Sequence, residues 1–417
     1  MTSPASLKPR VPFVVVVALA WATVVDIPTG ISLGITSLSG VLTVAVAAVL
    51  LLMVPGLFIA RTRGEPTSAK SPAKQPHLRG RLSHPTLPVA MKLFAIWAVI
   101  MLVWRPSIEG LQNSAVYVMF IAAIPIVAAG SSSGTADWIL SAFRGVSLVV
   151  GTIAAIQSLA GIEIFGPRSV ALVLVVLVAV TVVMPKRSKF DKVLPLLLTA
   201  ACALTLSRTA FFVAAILIPL SMLFTAGRDR LVKLLAAAIP AYYVMYLLIT
   251  SWAPLRDRFL EGDAAYKVGG VAVNTSGRAV LWEMTIDSWH EALWAGQGPG
   301  AATAMISRQF RNISHPHNEY LRMLHDFGLI GFLFFTVGLA MLIVATWRRA
   351  RLLGDPIHKA ATLALIGIAA VSFTDNVVVY PFVMLPVSVL VGASMSYPLV
   401  PFPNPTSQLR SAGKQVA

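Results

Sequence analysis

From Leu38 to Ala60 the chain runs without one charged side chain, and similar runs recur along all 417 residues. At a rise of about 1.5 Å per residue, roughly 20 apolar residues cross the ~30 Å hydrocarbon core of a bilayer. Lipid offers the backbone no hydrogen-bond partners, so each such run is read as a helix that satisfies its own N–H and C=O groups. Hydropathy marks twelve apolar segments, at 11–27, 38–60, 89–104, 111–129, 137–160, 169–185, 193–206, 209–226, 231–251, 327–347, 360–374 and 380–397. The fold class expected is therefore an all-α polytopic membrane protein with about twelve transmembrane helices. Composition excludes an ordinary soluble domain: 12% of residues are charged, against about 25% in soluble proteins, and mean hydropathy is +0.79.

A formal charge of +16 suggests nucleic acid in a soluble protein, but its distribution here reads as topology. With the N-terminus inside, beside Lys8 and Arg10, alternation places 21 of the 33 Lys and Arg on that side and 10 on the other. Lys92 and Arg144 fall within spans and are read as reaching towards the inner edge. Both termini are then cytoplasmic, and no nucleic-acid partner is expected. Residues 1–27 lack a clean small-residue cleavage site and are read as a retained first span. The single cysteine, Cys202, permits no internal disulfide and no multi-cysteine metal site.

Four regions follow. Residues 1–251 hold spans one to nine, interrupted at 61–88 by a Pro, Ser, Lys and Arg stretch read as a basic cytoplasmic linker. Residues 252–326 form a long external segment, 327–397 hold spans ten to twelve, and 398–417 are a cytoplasmic tail. Loops longer than about 15 residues are usually functional or disordered. Trp282, Trp289 and Trp294 on helix-like stretches argue against disorder, so chemistry is expected here.

Within "NTSGRAVLWEMTIDSWHEALWAGQGPG", Ser276 is expected to cap a helix whose first turn holds Arg278. The glycines at 296, 298 and 300 either stop that helix or expose amides to an anion. A second short helix is expected over "AATAMISRQF", followed by "NISHPHNEYLRMLHDFGLIG". Pro316 suits a helix's first turn, which would place His317 there. The stripe His317, Tyr320, Leu321 and Leu324 continues into the tenth span, with Glu319, Arg322 and Asp326 on a more polar side. A neutral imidazole at that position is either a base near neutral pH or an interfacial hydrogen-bonding group.

"LTLSRTAFF" sets Ser207 and Arg208 inside about 30 otherwise apolar residues, too many for one span. Two spans meeting there put Arg208 on the outer face, where it either binds an anion or reaches to headgroups. Arg278 falls on the same side and is either a phosphate ligand or a solvated helix residue. Asp375, at the outer end of the eleventh span, either pairs with an arginine, orients His317, or caps a loop beside Asn376. No Walker A loop, zinc helix motif, acidic metal cluster or dinucleotide fingerprint occurs.

The ordered pieces "SRTA", "SGRAVLWEM", "GQGPG" and "HPHNEYLRMLHDFGLIGF" resemble the O-antigen ligase and polymerase superfamily of bacterial membrane proteins over residues 200–335. The resemblance implies inverting, metal- and cofactor-independent glycosyl transfer on the outer face of the bacterial cytoplasmic membrane. The donor would be a glycan on a polyprenyl diphosphate, and the acceptor a hydroxyl of a glycan or glycolipid. Carried over by motif, Arg208 and Arg278 would hold the diphosphate. His317, or else His315, would activate the acceptor, with Asn318, Tyr320 and Asp375 in support. Ligase and polymerase share these motifs. A transporter of polysaccharide lipid is the alternative from another class, but transporters gather charge near the midplane of broken helices, whereas these candidates gather at span ends.

Overall fold

A computed structural model describes residues 12–33, 36–62, 87–131, 133–224, 230–251, 253, 266–268, 271–273, 277–310 and 313–396. Each of the twelve apolar segments falls on a helix: α1 (Phe13–Val24), α3 (Leu38–Thr62), α4 (Val89–Trp104), α5 (Ile108–Gly130), α6 (Ser133–Ala160), α7 (Pro167–Thr181), α8 (Lys189–Leu204), α9 (Arg208–Leu220), α10 (Arg230–Ser251), α13 (Glu319–Leu352), α14 (Pro356–Val371) and α15 (Pro381–Met395). Between them lie a single turn, α2 (Ile27–Gly30), and two helices of the long loop, α11 (Arg278–His290) and α12 (Ala301–Gln309). That loop also carries an antiparallel hairpin, Tyr266–Val268 with Val271–Val273, which the helical expectation missed. Among the described residues, α5, α6 and α13 are long and apolar enough to cross a membrane, and several shorter helices are equally apolar. The basic stretch at 63–86, the tail from 397 and Ser276 lie outside the described residues.

The core is built around α7 and α15. Val170–Thr181 of α7 and all of α15 are buried, which suits sequences almost continuously apolar around the helix. Packing between α4, α5 and α13 closes on an aromatic cluster. Phe94, Tyr117 and Phe327 meet edge to face with centroids 5.4–5.7 Å apart.

Long-range hydrogen bonds tie alternate helix ends into one layer. Gly166 N–H donates to the Asp26 carboxylate at 3.0 Å, and the Gln112 amide donates to Thr36. Arg105 donates to the Gln297 carbonyl at 2.9 Å, and Ser107 Oγ to the Pro299 carbonyl at 3.0 Å. The ends of α1, α4 and α6 and the starts of α3, α5 and α7 thus share one layer with the 296–300 turn.

Three local expectations need correction. Arg144 does not simply reach for solvent: its Nε lies 2.6 Å from Asp191 Oδ1, and Asp191 also closes a capping box at the start of α8. The first turn of α13 starts at Glu319, with Asn318 as its cap, so Pro316 and His317 precede the helix. The polar side of α13 faces inward. Glu319, Arg322 and Asp326 are buried, whereas His317, Tyr320, Leu321 and Leu324 are half-buried. Pairing makes that burial tolerable: Arg322 bonds Glu319 and donates to Tyr117 Oη at 2.7 Å.

A break at Gly328 (φ 64°, ψ −174°) divides α13. Broken helices leave orphan backbone groups, and here the strip 293–298 supplies partners. Gln297 N–H donates to the His325 carbonyl at 2.7 Å and Gly298 N–H to the Asp326 carbonyl at 3.0 Å. In return Leu329 and Ile330 donate to the Leu293 and Trp294 carbonyls at 2.9 and 3.2 Å. Trp97 Nε1 reaches the Phe327 carbonyl at 3.0 Å. The approach needs two glycines: a Cβ on Gly328 would lie 2.2 Å from the Trp294 oxygen, and one on Gly296 would lie 2.4 Å from the Gly328 nitrogen.

Candidate active site

A cavity of about 720 Å³ opens in this layer, lined by the end of α6, the α6–α7 turn, the α8–α9 break, the start of α11, the histidine loop and Asp375. Its cations arrive in one repeated way. Arg168 is in the first turn of α7, after Pro167; Arg208 opens α9; Arg278 opens α11. None of these helix starts is capped by its N-cap side chain. A helix start already carries about half a positive charge from its unpaired N–H groups. Arginine there is unfavourable unless an anion stands opposite. Three such starts on one cavity have the chemistry to suit a multiply charged oxyanion.

Local structure fixes each piece. The α8–α9 reversal turns on Leu206, whose φ of 57° is uncommon for a residue with a side chain. His317 has φ 52° for the same reason, a sharp turn just before the α13 cap. Such backbone costs about 1–3 kcal/mol and concentrates at functional sites. Among the described residues, two of the three non-glycine residues with positive φ line this one cavity. Trp282 Nε1 donates to the Pro316 carbonyl at 2.9 Å, so the helix that presents Arg278 also holds the histidine loop. Thr209 and Thr374 are hydrogen-bonded, which links the arginine of α9 to the turn bearing Asp375.

His317, Arg208, Arg278 and Asp375 are thus brought together. The other expected residues stand back from the cavity wall. His315 is turned to Thr303, its Nδ1 3.3 Å from Oγ1. Asn318 Oδ1 accepts from the N–H groups of Tyr320 and Leu321, both at 3.1 Å, as a helix cap. Tyr320 donates to the Ala369 carbonyl at 2.8 Å and packs on Phe373, joining α13 to α14. The glycine turn is also answered: Gly300 and Ala302 donate to the two Asp326 oxygens at 3.0 and 2.8 Å, so its amides already hold a carboxylate from the chain itself.

Arg168 is the residue that sequence reasoning passed over. Its Nε is 3.4 Å from Asp375 Oδ2, and its Nη1 is 3.0 Å from His317 Nδ1 and 3.3 Å from Nε2. The available signal was its place after Gly-Pro at a helix start, the position type shared by Arg208 and Arg278.

Burial and the arginines set the charge states. Desolvation first, then Arg168 and Arg278, push the His317 imidazole down to about 3. His315 falls to about 4, mainly by burial and then by Arg322. Both rings are neutral at neutral pH. Arg278 is lowered to about 10 by burial and by Arg168, and stays charged. Burial raises the Asp375 carboxyl while Arg168 opposes the rise. Among the described residues, no three His, Cys, Asp or Glu side chains converge as metal ligands would.

No curated protein matches the chain. The family model described as O-antigen ligase matches residues 193–336, which take in the α8–α9 break, α11, the glycine turn and the histidine loop but neither Arg168 nor Asp375. Over that segment, the chain is similar to the O-antigen ligase family of membrane glycan-transferring enzymes.

Proposed function

We propose that the cavity binds the diphosphate of a polyprenyl-linked glycan and that the protein transfers the glycan to an acceptor hydroxyl. The carrying observation is the convergence of three arginine-bearing helix starts on a cavity that also holds His317. The acceptor oxygen attacks the anomeric carbon from the face opposite the diphosphate, and the configuration inverts. The sugar–phosphate bond breaks with its electron pair on the departing diphosphate. Arg208 and Arg278 stabilise that charge in place of a divalent cation. The acceptor proton passes to His317.

A base lowered to about 3 is weak in the empty site. Burial is the larger cause and persists, but diphosphate charge offsets the arginine contribution, so donor binding raises the imidazole from its empty-site value. The base is then stronger with the donor in place than without it. Twelve spans with both termini cytoplasmic would set the cavity on the outer face of the cytoplasmic membrane, where lipid-linked glycans are displayed.

The test uses full-length protein in lipid nanodiscs with a polyprenyl-diphosphate glycan, candidate acceptors and a chelator. Expected are product formation by the wild type, loss with H317A, and falls of about a hundredfold or more with R208A and R278A. Full turnover by H317A and R208A refutes the site assignment. Transbilayer movement of the lipid without glycan consumption favours a transporter. The acceptor that is used separates a ligase from a polymerase.

A further inference from the structure

Arg168 sits between two groups that have use for each other. Its guanidinium has five N–H donors in a rigid fork. Nε faces Asp375 Oδ2 at 3.4 Å and Nη1 faces His317 Nδ1 at 3.0 Å. Nη2 has no partner among the described residues. The side chain is 43% exposed, so it is free to swing into the cavity it lines. Nη1 also lies 3.3 Å from Nε2, so it covers both ring nitrogens; donation to the nearer one makes Nδ1 the acceptor and leaves the ring proton on Nε2. Asp375 Oδ1 lies 4.0 Å from the same Nδ1, just out of hydrogen-bond reach while Arg168 intervenes.

Resting on the donor assignment above, we infer that Arg168 is a third diphosphate ligand that caps the His317 imidazole until the donor draws it away. Once Arg168 turns to the phosphate oxygens, Asp375 accepts the Nδ1–H of His317. Ring-proton exchange with water then leaves Nε2 with an open lone pair facing the cavity. Arg168 becomes a binding residue in the loaded state, and Asp375 a positioning residue acting through the imidazole. The release sets an order: the base is uncovered by the donor, before an acceptor is activated.

Diethyl pyrocarbonate acylates only an open imidazole nitrogen, and peptide mass spectrometry separates His317 from the other six histidines. The full-length protein is labelled in nanodiscs at pH 7 without donor. R168Q is expected to label at His317 about tenfold or more faster than wild type, and R168K at an intermediate rate. Saturating inorganic pyrophosphate, the probe for the diphosphate, is expected to raise wild-type labelling towards the R168Q rate. In transfer assays R168Q is expected to raise the donor KM about tenfold or more, with R168K restoring part of it. Equal labelling of wild type and R168Q overturns the cap. Wild-type labelling that stays flat or falls with pyrophosphate overturns the release, and needs no variant that folds. An unchanged donor KM in R168Q overturns the phosphate role. Labelling is independent of turnover, so a protein that caps His317 but transfers no glycan refutes the proposed function and not the cap.

Discussion

The Asp326 carboxylate provides a sharp test of how the glycine turn is held. Its Oδ2 accepts from Gly300 N–H at 3.0 Å, and its Oδ1 accepts from Ala302 N–H at 2.8 Å while lying 3.1 Å from His325 Nδ1. The side chain is 1% exposed, so water does not replace a lost partner without local opening. In D326N one oxygen becomes an NH₂ that opposes a backbone N–H. A hydrogen bond to a charged group contributes about 1.5–3 kcal/mol, and D326A forfeits two of them to the backbone. Each 1.4 kcal/mol is about tenfold in an equilibrium. Hydrogen exchange at Gly300 and Ala302, followed in nanodiscs, is therefore expected to quicken about ten- to a hundredfold in D326N. D326A is expected to shift roughly twice as far in free energy, while amides of α15 keep their protection. Unchanged exchange at Gly300 and Ala302 in D326N refutes the reasoning. So does protection of those two amides by pyrophosphate in the wild type, because it would make the glycine turn a ligand site rather than one filled by Asp326.

Three further outcomes follow from the geometry. G328A sets a Cβ 2.2 Å from the Trp294 oxygen at φ 64° and is expected to cost ~3 kcal/mol or more, seen as loss of monodisperse protein in size-exclusion chromatography; G354A, at φ 78° with open space around it, is expected to remain folded. In R278K the same burial that lowers Arg278 to about 10 would bring a lysine to roughly 8, so transfer by R278K is expected to fall between pH 7 and 9 while wild type holds. His315 and His317 are held neutral, with folded values of about 4 and about 3 below the unfolded 6.5, so their unfolded forms bind protons first. Stability is then complete above pH 6.5 and is lost by up to ~1.4 kcal/mol per pH unit per histidine on acidification towards pH 4. The melting temperature is expected to drop over that window, with a shallower slope in H315Q.

Hydropathy located the helices because an uncharged run in lipid has few alternatives. It also located the Ser207–Arg208 break, because about 30 apolar residues exceed one crossing. The motif pieces located His317, Arg208 and Arg278. What stayed hidden depends on the third dimension. A helical repeat puts Glu319, Arg322 and Asp326 on one side of α13, but it does not say whether that side meets water or the Tyr117 hydroxyl. Arg168 looked like any flanking charge until the fold set Asp375, more than 200 residues later, against it. The same holds for Arg144 and Asp191, whose pairing no local pattern announces. The Gly328 break was masked by its apolar neighbours, and only the returning strip at 293–298 explains it.

That strip also fixes the chain for engineering. It anchors the chain just before Gly300, and Trp282 with the Asn318 cap anchors it again at Pro316–Glu319. The stretch between works as an exchangeable cassette with fixed sockets at both ends. Exchanges within it that keep the Ala302 amide on Asp326 and the Thr303–His315 contact are expected to leave the arginine-bearing helix starts in place. Gly300 and Pro316 are thus the natural boundaries for cutting and rejoining the chain.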